Sequence, residues 1–293
     1  MADESKHDEE ERPKDDETPV DLTKAEIKEA EDRAMPRAAI VYETIRREGK
    51  GELERTNGAL AFSGLSAGLS MGFSFLGMST IYAFLPDAPW RTLVAGGGYS
   101  IGFLITILGR QQLFTENTLT PILVLLGKFE LGTLWKVARL WLIVLVANIV
   151  GAFAFAEFIA HAPLLSTPIV QAFHDLARES AKNTGMENFV RAIFAGWIIA
   201  LMVWLLPASE SGAMFIILLL TGFVGAAQLS HIVAGSVENI YAVAVGIQPW
   251  SDFWMKFFLP CLLGNCIGGV TFVALLNFGQ VASDTSPREK QAS

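Results

Sequence analysis

Ionisable and amide side chains are sparse through the centre of this sequence, and polar residues concentrate in two short stretches. One holds Arg110, Gln111, Gln112, Thr115, Glu116 and Asn117; the other holds Ser230, His231, Ser236, Glu238 and Asn239. Each stretch interrupts an apolar run. Where a helix resumes after such a break, its free N–H groups and positive dipole end suit an anion. His231 is the only histidine of the apolar region, since His7, His161 and His174 fall in the N-terminal tail and a connecting loop. Its ring can hydrogen-bond neighbouring backbone. Beside Ser230 and Ser236 it can instead exchange protons, a task suited to a group whose unperturbed pKa is about 6.5. Arg110, Glu116 and Glu238 are costly in lipid unless paired or wet. They read as a charge network in which Arg110 pairs with Glu116 or Glu238, with direct solute contact as the alternative. Asn148 and Asn265 sit beside small residues and serve either helix packing or a pore wall.

The elements that must position these groups are long apolar runs. Of the 293 residues, 52% are apolar and 18% charged, but residues 1–56 alone hold 18 acids and 11 bases. The net charge of -8 therefore belongs almost wholly to the tails, and the centre is nearly neutral. This divides the chain into an acidic tail with a surface helix (1–56), a membrane domain (57–278) and a short C-terminal tail (279–293). An apolar run of about 18 to 25 residues spans a bilayer as a helix. Residues 59–85, 140–160, 192–206 and 257–278 read as full spans. Residues 94–108 and 214–229 are short, run into the two polar stretches, and resume to 126 and 246. The order is full, broken, full, full, broken, full. Asn148 and Gly151 in the third span are echoed by Asn265 and Gly268 in the sixth. Paired interruptions in corresponding halves point to a transport site. The expectation is an all-α membrane fold of six helices in two three-helix repeats, inverted because three spans per repeat is odd. Gly64, Ala67, Gly68 and Gly72 form a small-residue stripe suited to close helix packing.

Residues 1–20 are too polar to fold and are expected to be disordered. Thr23 and Glu26 have capping-box spacing, and Pro36 stops the short helix they would start. Residues 37–55, with Ile40, Val41 and Ile45 on one side, read as a helix on the membrane surface or as a solvated one. Lys and Arg near the spans number ten on the side of both termini and five on the other, which places both termini in the cytoplasm. The loop 161–188, with two of the five, falls outside. Cys261 and Cys266 read as small apolar residues. From the polar start no cleavable signal peptide is expected. No metal cluster, catalytic triad, phosphate loop or large basic surface is present, so the expectation is no enzyme, no cofactor and no nucleic-acid partner.

Three groups of residues bring a resemblance. Gln112, Leu113, Phe114 and Thr115 after the short second span, His231 to Ala234 in the fifth, and Gly264 to Gly269 in the sixth are similar to motifs of the formate/nitrite transporter family. The resemblance covers roughly residues 57–278, and the stretch 111–118 is similar to a divergent bacterial inner-membrane branch. It implies an aquaporin-like fold in a homopentamer, one pore per protomer, in the inner membrane. It also implies a central site of Thr115 opposite His231, with Leu113 and Phe114 in the same break. Constrictions would fall at Tyr99 and Phe103 and at Val203 and Val224, with Lys182 near the outer mouth. Ser230, Gly235 and Ala200 stand where the family carries a glutamate and two asparagines. The expected function is a channel or proton-coupled transporter for a small monovalent anion or its neutral acid. A channel for a small neutral solute and a non-conducting membrane scaffold are the alternatives.

Overall fold

The computed structural model describes residues 36–161 and 165–289, together with Thr23, Ala25, Glu26, Lys28 and Ala30. The expectation for residues 1–20 lies outside these. Residues 1–36 and 37–293 form separate units. In the first, the Thr23 N–H donates to Glu26 Oε2 at 2.8 Å and the Glu26 N–H donates to Thr23 Oγ1 at 3.4 Å, the reciprocal bonds of a capping box. Ala25, Glu26, Lys28 and Ala30 are helical.

The second unit is helical throughout its ordered elements. Helix α1 (Ala38–Glu54) precedes α2 (Asn57–Phe84), α3 (Arg91–Leu108), the short α4 (Thr120–Gly127) and α5 (Leu131–His161). Then come α6 (Thr167–Ala181), α7 (Gly185–Leu205), α8 (Ala213–Ala226) and α9 (Ala234–Ala244). The last helix, α10 (Trp250–Ser283), contains two π-helical stretches, Phe253–Phe258 and Val270–Leu275. By length and composition α2, α3, α5, α7 and α10 can each cross a membrane, while α8 is apolar but shorter. Both expected interruptions are present: α3 gives way to α4 across residues 109–119, which include the short 3-10 helix Glu116–Thr118, and α8 to α9 across residues 227–233.

Close helix approach follows from missing side chains. A Cβ at Gly68 of α2 would overlap the carbonyl oxygen of Asn148 in α5, and one at Gly196 of α7 would overlap that of Asn265 in α10. The small-residue stripe of α2 is thus consumed against α5 inside the protomer, and it offers no argument about a subunit interface. Helix α1 buries Val41, Ile45, Gly49 and Leu53 on one face, while Ile40 is exposed. That face docks on α4, where a Cβ at Gly49 would overlap the Thr120 carbonyl.

Between α5 and α7, where the sequence suggests only a loop, α6 forms 15 residues of helix. Its signals are short: Pro168 in the first turn, then Ala172, Phe173, Leu176 and Ala177 buried at helical spacing. Phe173 packs against Phe75 of α2 and Tyr241 of α9.

Candidate functional site

Each interruption begins with the same turn. At the end of α3 the Arg110 N–H donates to Ile107 O and the Gln111 N–H to Thr106 O, at 3.1 and 2.9 Å. At the end of α8 the Gln228 N–H donates to Gly225 O and the Leu229 N–H to Val224 O, at 3.1 and 3.0 Å. This helix ending needs a left-handed residue, which is usually glycine. Here Arg110 (φ 53°) and Gln228 (φ 51°) adopt it, whereas the same turn after α9 uses Gly246. Non-glycine residues in that region carry local strain, and such strain persists where the surrounding structure enforces it.

One asparagine per break ties down the backbone that follows this turn. Asn148 Nδ2 donates to Gly64 O at 2.8 Å and Gln112 O at 2.9 Å, while its Oδ1 accepts the Phe114 N–H at 2.9 Å. Asn265 Nδ2 donates to Ala192 O at 2.8 Å and Ser230 O at 3.0 Å, while its Oδ1 accepts the Ile232 N–H at 2.9 Å. Backbone left unpaired at membrane depth is costly, and these amides satisfy it. Both asparagines are fully buried, and neither lines either of the two cavities described below.

The breaks bring Thr115 and His231 together, with Oγ1 and Nε2 2.8 Å apart and both side chains buried. The Val233 and Ala234 N–H groups, at the start of α9, both point at His231 Nδ1, at 3.3 and 3.2 Å. A nitrogen that accepts two N–H donors carries no proton, so the neutral ring is assigned as the Nε2–H tautomer, donating to Thr115 Oγ1. The threonine hydroxyl hydrogen is then free to donate elsewhere. Phe103 meets the imidazole edge-on, with ring centroids 5.0 Å apart.

Two cavities flank this pair. His231 lines the first, of about 60 Å³, with Tyr99, Val224, Phe257, Glu179, Arg191 and Glu238. Glu116, next to Thr115 in the chain, lines the second, of about 490 Å³, with Glu48, Glu52, Arg55, Arg110 and Val203. Of the four residues expected at constrictions, Tyr99 and Val224 thus face the first cavity, Val203 the second, and Phe103 the histidine itself. Leu113 and Phe114 are buried and line neither cavity, and the Phe114 ring packs against Trp141.

The charged residues fall differently from expectation. Arg110 is not paired with Glu116 or Glu238; its Nη2 lies 3.0 Å from Glu48 Oε1, and its side chain is 78% exposed. The partner comes from α1, beyond the reach of any local pattern. Glu116 and Glu238 lie in different cavities and cannot share a counter-ion. Lys182 pairs with Glu179 at 2.6 Å and does not itself line the first cavity.

Sequence reasoning also missed the strap that α1 lays over the first break. Glu52 accepts from Thr120 Oγ1 at 2.6 Å and from Gln112 Nε2 at 3.2 Å, and Gln112 Oε1 accepts from Asn117 Nδ2 at 3.0 Å. The Trp141 indole N–H donates to Asn117 O at 2.8 Å. On the other break Ser230 Oγ donates to Asn188 Oδ1 at 2.8 Å. No sequence signal marks these partners, because each is an ordinary polar residue whose role depends on a distant segment.

Burial pushes the Glu52 carboxyl up, against the pull of the hydrogen bonds from Thr120 and Gln112. A carboxyl raised on folding contributes stability while protonated and loses it as pH rises through its folded value. Docking of α1 is therefore expected to weaken from acid toward neutral pH. Glu43 is held at about 2 by Arg46 and then Arg47, so it stays ionised over that range. Hydrogen exchange of α1 in detergent should show protection falling as the pH rises from acid toward neutral, and Glu52→Gln should flatten that fall. A fall of the same size in the variant would contradict the assignment.

Comparison with known proteins places this geometry. A sequence model of the formate/nitrite transporter family matches residues 39–279, which takes in nearly all of α1 as well as the spans. The chain is 40% identical to inner membrane protein YfdC of Escherichia coli (strain K12), over 89% of this chain and 84% of that protein. It is 30% identical to a probable formate transporter of Methanothermobacter thermautotrophicus, over 63% of this chain and 73% of that protein. Among solved structures it resembles a pentameric formate channel with formate bound, with a TM-score of 0.62, 16% identity, and coverage of 80% of this chain and 97% of that one. An FNT family ion channel gives a TM-score of 0.63 at 20% identity, over 83% and 96% of the two chains.

Proposed function

This chain belongs to the formate/nitrite transporter family, and from that premise we propose that each protomer is a pore passing a small monovalent carboxylate, such as formate, in its neutral acid form. The observation that carries the reading is the buried Thr115–His231 contact of 2.8 Å, with His231 lining one cavity and Glu116, the residue after Thr115, lining another. A bare anion entering a slit walled by Phe103, Tyr99, Val203 and Val224 meets a large desolvation cost, and the protonated acid does not. His231, its Nδ1 engaged by two backbone N–H groups, serves as a fixed donor that turns the Thr115 hydroxyl hydrogen toward the solute. A proton on Nδ1 would have to displace both N–H donors, which favours this role over proton exchange by the ring.

The same proposal covers assembly and topology. The solved relative described as a pentameric formate channel supports a homopentamer with one pore per protomer. The E. coli relative's name supports a multi-pass inner-membrane location, and the Lys/Arg balance supports both termini inside. The six-helix, twofold-inverted arrangement is supported by the matched turns at Arg110 and Gln228 and the matched anchors Asn148 and Asn265.

One observation favours a channel for neutral solutes as the second reading. A Cβ at Gly235 would lie 2.7 Å from the Phe257 ring, so an aromatic wall fills the place of the family's amide. Formate and glycerol entry into proteoliposomes separate the two readings. Formate entry well above that of protein-free vesicles is expected. Glycerol entry without formate entry would overturn the proposal in favour of the second reading.

A further inference from the structure

Glu116 and Glu238 take no part in the Thr115–His231 contact. Neither side chain makes a hydrogen bond or ion pair with any described residue, and each faces one of the two cavities flanking that pair. Each of these cavities is also lined by a guanidinium that makes no ion pair among the described residues, Arg191 in the first and Arg55 in the second. The remaining charges at these cavities are engaged elsewhere. Glu179 pairs with Lys182, Glu48 with Arg110, and Glu52 is held by Thr120 and Gln112. The Tyr99 hydroxyl and His231 complete the titratable groups of the first cavity. Each cavity thus holds one carboxyl and one guanidinium that make no ion pair among the described residues.

We propose that Glu238 and Glu116 are the proton-loading groups of this pore, one on each side, and that Arg191 and Arg55 draw the carboxylate anion to them. This rests on the weak-acid reading above. An anion held by Arg191 takes the proton of the Glu238 carboxyl. The glutamate O–H bond breaks as an O–H bond forms on the solute, leaving Glu238 ionised and the solute neutral. The neutral acid passes Thr115 and His231. Beyond them it returns its proton to the ionised Glu116 and leaves as the anion past Arg55. Water in the first cavity reprotonates Glu238 and water in the second deprotonates Glu116. One proton and one anion have then crossed together, and the reverse direction uses the same groups in the opposite order.

The test is formate uptake by proteoliposomes, with an internal pH dye, comparing wild type with Glu116→Gln, Glu238→Gln and the double variant. Where the bulk solution holds little neutral acid, at about pH 7, the double variant should be slower by about tenfold, the low end for a lost acid–base group. At about pH 5 the solution itself supplies the neutral acid, and uptake should stay within about twofold of wild type. A structural defect would depress both equally. Glu238→Asp, which keeps the acid, should recover part of the loss near neutrality. Equal loss at both pH values, or a double variant that matches wild type, overturns the proposal while leaving the pore reading intact. Absence of formate uptake in wild type removes the pore reading and this proposal with it.

Discussion

Replacing His231 with phenylalanine is expected to lower formate entry into proteoliposomes by about 10- to 100-fold. The phenyl ring keeps the volume beside Phe103 but removes the Nε2–H that donates to Thr115 and the Nδ1 that accepts from Val233 and Ala234. A buried polar group left without its partner costs about 1–3 kcal/mol, which is roughly that range in rate if it acts in the barrier. Thr115→Val should cost less, about tenfold, because the histidine still caps α9 and holds the break in place. Size-exclusion profiles that match wild type would show that the loss lies in permeation. A His231→Phe protein that passes formate like wild type would remove the pair from the gate.

The second large effect is on stability. Asn148→Leu and Asn265→Leu each strip three hydrogen bonds from backbone groups that have no water to turn to. Each is expected to cost about 3 kcal/mol or more, since every stranded buried group forfeits roughly 1–3 kcal/mol. Thermal unfolding in detergent should show both variants melting well below wild type and by similar amounts. A variant that melts with wild type would mean its break is held by something other than the asparagine.

The repeated anchors are legible in the sequence alone, because Asn148 and Gly151 recur as Asn265 and Gly268 and the apolar runs stop short at matching places. Helical periodicity and run length carry that information directly. The site is legible in its chief members: His231 and Thr115 stand out as polar residues in apolar runs, although the opposition of Thr115 to His231 comes only from family resemblance. What stays hidden depends on contacts between distant segments. Arg110 finds Glu48 on α1, 62 residues earlier, and no spacing rule links that helix to the turn that ends α3. Phe114 turns toward Trp141, because a residue in a non-helical stretch has no face that periodicity can assign. Helix α6 is hidden for a related reason. Its apolar face is four residues in a polar 15-residue segment, too short to stand out from a loop. The tautomer of His231 follows from two backbone N–H groups whose direction is fixed only by the start of α9.

The central claim is that a weak acid crosses at the Thr115–His231 pair in its neutral form. Stopped-flow uptake of formate by wild-type proteoliposomes, corrected for protein-free vesicles and followed from about pH 8 to pH 5, tests it most directly. Each unit of acidification multiplies the neutral fraction of a carboxylic acid by about ten, so protein-mediated uptake should rise steeply across the range. Uptake that is flat with pH, or no uptake above the protein-free vesicles at any pH, would contradict it.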